Sequence, residues 1–128
     1  MRDQPPRPTD AELEILTVLW SLGPSTVRDV YEAISRRRTA QYSTILKFMQ
    51  IMSEKGLVRR DETQRAHVYQ AARPREWTQR QLAGDLLERA FSGSAKSLLM
   101  GALSAKKASK EELAELRELL DDYSKGAK

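Results

Sequence analysis

At 128 residues, with 31% charged and 6% aromatic side chains, the chain is sized for one small domain plus an assembly element, not for a large monomeric core. It has no cysteine, which excludes disulfides, thiolate metal clusters and cysteine catalysis. The formal charge of +4 is concentrated: Arg28 to Arg65 hold nine Lys/Arg against five Asp/Glu, so the remainder is neutral, and a basic middle of this kind points to a polyanion surface.

Residues 1–8 contain three prolines and nothing to bury, and are expected to form a disordered arm. They carry no hydrophobic stretch of the kind a secretion signal needs, and no apolar run in the chain approaches the roughly 20 residues that cross a bilayer. The expected compartment is therefore the cytosol, with no membrane insertion. Thr9 and Glu12 have capping-box spacing and open a helix over 11–22 whose Leu13, Leu16, Val18, Leu19 and Trp20 face a core. Gly23-Pro24 ends it, because the residue before proline is pushed out of the helical region. Ser25 or Thr26 caps a second helix, with Asp29 three residues beyond Thr26 and Val27, Val30, Tyr31 and Ile34 as its buried face. The polar turn Arg36-Arg37-Arg38-Thr39 follows.

The third helix, over 41–55, carries Ile45, Phe48, Met49 and Met52 at one-face spacing, with Ser43, Lys47, Gln50 and Glu54 opposite. Lys55-Gly56 closes it, a cation at the negative end of the dipole followed by a residue suited to a left-handed C-cap. Two short β-rich runs around the turn Asp61-Glu62-Thr63-Gln64 read as an arginine-rich hairpin. Two short helices, an amphipathic third and a hairpin form the order of a winged helix-turn-helix. The fold class expected is mainly α: a winged helix-turn-helix over 9–73, a helical dimerisation element over 74–124 and a disordered tail over 125–128.

In that second element, helices are expected over 75–90, 95–103 and 110–123, the last opened by a third capping box of Ser109 and Glu112. Leu82, Leu86, Phe91, Leu98, Leu99, Leu103, Leu113, Leu116 and Leu120 supply apolar stripes. Three helices of this size bury little alone, so these stripes are assigned to a homodimer; packing back on the N-terminal domain is the alternative.

TDAELEILTVLW near the start, YSTI and EKGLVRR in the third helix and hairpin, HVY in the second strand and SKEELAELRELL at the end resemble the penicillinase and methicillin-resistance repressors, a family that includes copper-responsive repressors. The likeness runs from Thr9 to about Leu120. It implies a dimeric winged-helix repressor on a palindromic operator of double-stranded DNA. In the family, Ser43 and Thr44 fall where the recognition helix meets base edges. Lys47 replaces a common threonine and Ile51 a common arginine, so the operator is this chain's own. Antibiotic-responsive members are released when a membrane sensor-protease system leads to cleavage of an Asn–Phe bond; the aligned pair here is Gly101-Ala102, the candidate cleavage position. The cysteine cluster of copper-responsive members is absent.

The chemistry expected is binding. Gln41, Tyr42, Ser43, Thr44 and Lys47 would meet bases, with Gln41 suited to adenine, the Thr44 methyl to thymine, and Lys47 to guanine or phosphate. Ser43 and Thr44 have a competing use as helix caps, and Tyr42 as a staple at the helix entrance. Arg59, Arg60 and Arg65 in the wing, and one or two of Arg36, Arg37 and Arg38, with Arg36 the candidate, are assigned to phosphates. His67, the single histidine, has no second ligand near it, so no metal and no cofactor are expected. No catalytic constellation stands out. Two rival readings remain: release by a small ligand in a pocket near Trp77, Tyr69 and Phe91, and an adaptor that binds protein through Leu46 and Ile51.

Overall fold

The computed structural model describes residues 7–126. Residues 1–6 and 127–128, and with them most of the expected arm and the end of the expected tail, lie outside the described residues. The described chain has six helices and one two-stranded sheet: α1 Asp10–Leu22, α2 Val27–Ser35, α3 Tyr42–Lys55, β1 Val58–Asp61, β2 Val68–Ala71, α4 Arg75–Phe91, α5 Ala95–Ala105 and α6 Lys110–Gly126.

Local chemistry accounts for the helix boundaries. Thr9 caps α1 by accepting the Glu12 N–H at 3.2 Å, while the Thr9 N–H donates to the Glu12 carboxylate at 2.9 Å. Thr26 and Asp29 form the same reciprocal pair at the start of α2, so Thr26, not Ser25, is the cap. Gly56 ends α3 at φ 83° and ψ 14°, a left-handed conformation that costs glycine nothing sterically. At Ser109 only half of the expected box forms, the Glu112 N–H donating to Ser109 Oγ at 3.0 Å. The last helix runs through Lys125 and Gly126, so these two residues are helical and not part of a tail.

The winged unit closes on a core of Ile15, Leu16 and Leu19 from α1, Val30 and Ile34 from α2, Ile45, Met49 and Met52 from α3, and Val58 and Tyr69 from the sheet. Strands β1 and β2 pair antiparallel from Val58↔Ala71 to Asp61↔Val68. The connecting loop spans 62–67, longer than the four-residue turn expected. Its cause is local: the Asp61 carboxylate accepts both the N–H and the O–H of Thr63, at 2.9 and 2.7 Å, and turns the chain out of the ladder. Arg65 and His67 consequently sit in the loop and not in a strand. The Thr63 backbone bond, followed by its hydroxyl, holds the Asp61 carboxyl below its ordinary pKa. Ser25 adds a one-residue bridge to Tyr69, with N–H to carbonyl bonds of 2.9 and 2.7 Å in the two directions, and so stitches the α1–α2 connection to the wing.

One polar contact spans the core. Glu12, only 2% exposed, receives Lys55 Nζ at 2.8 and 2.9 Å, joining the first turn of α1 to the last turn of α3. Burial alone would raise the Glu12 pKa, but the Lys55 hydrogen bond, the Thr9 amide and the Lys55 charge outweigh it and hold the carboxyl below its ordinary value. Elsewhere in this unit the Trp20 indole N–H donates to the Arg73 carbonyl at 2.9 Å, and the Arg73 guanidinium lies 4.5 Å from the centre of the Trp77 ring.

The chain divides into two compact units between Leu82 and Ala83, inside α4 and not at Arg73-Pro74. The first turns of α4, including the buried Thr78, belong with the winged unit. The second unit comprises the rest of α4 with α5 and α6. Ser92 at φ 51° and Gly93 at φ 79° end α4, and Ser94 caps α5 by accepting the Ser97 N–H at 3.0 Å. Among the described residues, none beyond Thr78 is buried.

Because the folded Glu12 carboxyl sits below its ordinary value of 4.5, its stabilisation is complete above that pH and is lost as the pH falls through the folded pKa. Lys55→Ala should cost about 1–3 kcal/mol at neutral pH, less than the roughly 3–5 kcal/mol of a fully buried broken pair because Lys55 keeps some solvent contact. Urea denaturation should show the gap to the unmodified protein closing below about pH 4.5; a gap independent of pH would contradict the ion-pair account.

Candidate nucleic-acid interface

Helix α3 presents two chemically distinct sides. Ile45, Met49 and Met52 are buried, whereas Ser43, Lys47, Gln50 and Glu54 form an exposed stripe at i, i+4, i+7 and i+11. Gln41, Tyr42 and Thr44 are also exposed. The N-cap of α3 is Gln41, and it makes no side-chain cap. Ser43 and Thr44 are therefore not spent on capping; their hydroxyls make no hydrogen bond among the described residues. The first turn of α3 contains no acid, so the positive end of its dipole is uncompensated. With 14 residues the helix is about 21 Å long, which fits a major groove.

Tyr42 packs edge-on against Tyr31 of α2, ring centres 5.7 Å apart at 73°, with the Arg28 guanidinium 5.5 Å from the centre of its ring. It anchors the entrance of α3 through α2, a partner 11 residues back that no helical spacing reveals.

The candidate cations separate by what they already hold. Arg38 donates to Glu14 through Nε and Nη2, with a closest approach of 2.6 Å, and to the Thr39 carbonyl at 3.0 Å. The Arg38 hydrogen bonds lower the Glu14 pKa against burial, and the same bonds raise that of Arg38. Arg38 is a strut between α1 and the α2–α3 turn. Arg60 is drawn first to the Tyr69 hydroxyl and then to Glu62, 2.6 Å away, and these partners raise its pKa further. By contrast, Arg36, Lys47, Arg59 and Arg65 are exposed and make no side-chain hydrogen bond or ion pair among the described residues. These four have their donors available to an anion.

A cavity of about 280 Å³ lies between α1 and the start of α3, lined by Ile15, Ala40, Gln41, Thr44 and Phe48 among others. Tyr69 is a core residue at 2% exposure, and the Arg73 guanidinium lies 4.5 Å from the centre of the Trp77 ring. Leu46 packs against the core cluster, which leaves little apolar surface for an adaptor. Among the described residues no cluster of His, Asp and Glu could hold a metal ion, and no helix is long and apolar enough to cross a membrane.

In the second unit, Leu86, Leu103, Leu113 and Leu120 are exposed, while Phe91, Leu98, Leu99 and Leu116 are half-buried; Leu82, also half-buried, belongs to the winged unit. Met100, Leu119 and Tyr123 are exposed by 58%, 50% and 72%. Gly101 and Ala102 lie in the middle of α5, with the Phe91 ring over Gly101 at 3.5 Å from where a Cβ would be.

This arrangement agrees with what the chain is similar to. Residues 8–122 match the family model of the penicillinase repressor. The chain belongs to the penicillinase repressor family. It is 37% identical over 93 residues to the transcriptional regulator BlaI of Mycobacterium tuberculosis, a match covering 71% of this chain and 67% of that protein. The penicillinase repressor of Bacillus licheniformis is 25% identical over 118 residues, 92% of each chain. That of Staphylococcus aureus is 20% identical over 115 residues, 90% of this chain and 91% of that protein. The family match thus takes in both the winged unit and the helices beyond it.

The four unengaged cations and the two engaged ones should separate in a binding measurement. Replacing Arg59 and Arg65 together by alanine should weaken binding to any duplex by about tenfold or more at physiological salt. Arg38→Ala should leave binding within about twofold, because its donors are already committed to Glu14. Fluorescence anisotropy with labelled DNA measures both; a larger loss from Arg38 than from the wing pair would reverse the assignment.

Proposed function

We propose that the chain is a homodimeric transcriptional repressor that reads a palindromic operator in double-stranded DNA. The observation that carries this reading is the exposed edge of α3 with its wing: Gln41 at the N-cap and Ser43, Thr44 and Lys47 on the helix are exposed, and Arg36, Arg59 and Arg65 around it are unpaired among the described residues. The relatives named as transcriptional regulators and penicillinase repressors support the same reading. In this account α3 enters the major groove, Gln41, Thr44 and Lys47 touch base edges, and the arginines neutralise phosphates. Tyr42 serves the entrance of the helix, and Arg60 reaches phosphate only by giving up Glu62.

The helices beyond the winged unit are assigned to a second copy. Their support is that no described residue after Thr78 is buried, combined with leucines and Tyr123 left open on α6. Helices that bury so little are not stable in water by themselves, and a symmetric partner is the commonest remedy. Two winged units would then meet half-sites about one duplex turn, roughly 34 Å, apart.

Release is assigned to proteolysis within the dimerisation helices at Gly101-Ala102, through a membrane sensor-protease system. A protease takes its substrate extended, so α5 must open first, and a helix with no buried residue opens at little cost.

Leu116→Glu combined with Leu120→Glu should convert the dimer to a monomer in sedimentation velocity and reduce palindrome binding to that of an isolated half-site. A full-length chain that sediments as a monomer would remove the dimer reading. In cells given the inducing stress, immunoblotting should show a fragment cut near Gly101; intact protein during full induction would point to release without cleavage.

A further inference from the structure

One charged side chain near the proposed interface has no role in the account above. Arg28 lies in the first turn of α2, and its guanidinium carbon is 5.5 Å from the centre of the Tyr42 ring at the first position of α3. Among the described residues its one ionic neighbour is Glu32, at 3.8 Å, with the two side chains 67% and 52% exposed. That separation is beyond hydrogen-bond reach, and an exposed pair of this kind contributes little. The other nearby acid, Asp29, is occupied in the Thr26 capping box. Arg28 is therefore held in place chiefly by an aromatic face.

That manner of holding matters. A ring contact at this distance consumes no hydrogen bond, so the five N–H donors of the guanidinium make none among the described residues. Those donors remain available to an oxyanion, and the side chain has already lost part of the rotamer freedom that binding would otherwise have to remove. The platform is itself fixed, because Tyr42 rests edge-on against Tyr31 at 5.7 Å. All three residues stand at the end of α3 where no acid and no side-chain cap offset the helix dipole.

We propose that Arg28 contacts a DNA backbone phosphate beside the entrance of α3, and that Tyr42 is the positioning residue that presents it. The proposal rests on the DNA-binding reading above and deepens it. A phosphate gripped from α2 fixes the angle at which α3 enters the groove, so the contact sets register for the base-facing residues.

The test uses the full-length protein, a duplex selected by it from random sequence and an unrelated duplex, titrated over a range of salt. Arg28→Ala should lower affinity for both duplexes by about five- to twentyfold and reduce the slope of log K against log salt by about 0.9, one phosphate's worth. Arg28→Lys should keep the slope and recover part of the affinity, since it keeps the charge but not the planar fork. On the unrelated duplex, Tyr42→Leu should weaken binding about threefold, and should add nothing in the Arg28→Ala background, as expected for two residues acting through one contact. An Arg28→Ala protein with the original slope and affinity overturns the phosphate contact. Independent, additive losses from the two substitutions overturn the positioning role of Tyr42. An unmodified protein that binds no duplex would sink the DNA reading itself, a result distinct from either.

Discussion

The buried contact between Glu12 and Lys55 governs how α3 is displayed. A carboxylate at 2% exposure is costly to desolvate, and this one is tolerable only because Lys55 and the Thr9 amide surround it. Its position joins the beginning of α1 to the end of α3, so the same carboxylate that caps one helix tethers another. With the far end of α3 tied there and its entrance held by Tyr31 through Tyr42, the helix cannot roll about its axis. The exposed stripe of Ser43, Lys47, Gln50 and Glu54 is thereby kept on one side, and any reading of DNA by this helix depends on that.

Charge in this protein divides between structure and availability. Arg38 braces Glu14, Arg60 is held by Tyr69 and Glu62, and Arg28 lies on an aromatic ring. Among the described residues, Arg36, Lys47, Arg59 and Arg65 make no such contacts. A surplus of positive charge counted along the chain treats all of these alike. In three dimensions a cation already neutralised by a carboxylate adds little field, while an unengaged one contributes in full. The wing follows the same logic: Asp61 turns the backbone through Thr63, the ladder ends early, and Arg65 is left exposed on a loop.

The second half of the chain presents the opposite problem. Its helices are well capped by Ser94 and Ser109, yet they enclose no buried residue. Capping contributes about 1 kcal/mol per helix and cannot replace a core. The open faces of α5 and α6 are what the proposed dimer would cover, and the same poor burial would let α5 open to a protease. Assembly and release would then draw on one physical weakness.

What could be read from the sequence alone was whatever acts over three or four residues. Thr9 with Glu12 and Thr26 with Asp29 announced two helix starts, Gly56 announced an end, and the spacing of Ile45, Met49 and Met52 announced a buried face, because caps and helical periodicity are local. The order of elements and the resemblance in EKGLVRR and YSTI then led to the winged-helix class and to the family. What only the tertiary structure decided lies farther apart: Glu12 with Lys55, 43 residues distant; Glu14 with Arg38, 24 distant; Ser25 bridged to Tyr69; and Trp20 bonded to the Arg73 carbonyl, 53 distant. No short-range signal encodes such pairs, since each depends on where the packed core brings two chain segments together. That is why the sequence could name the helix that faces outward, while the fold alone determined which cations around it were left free to bind.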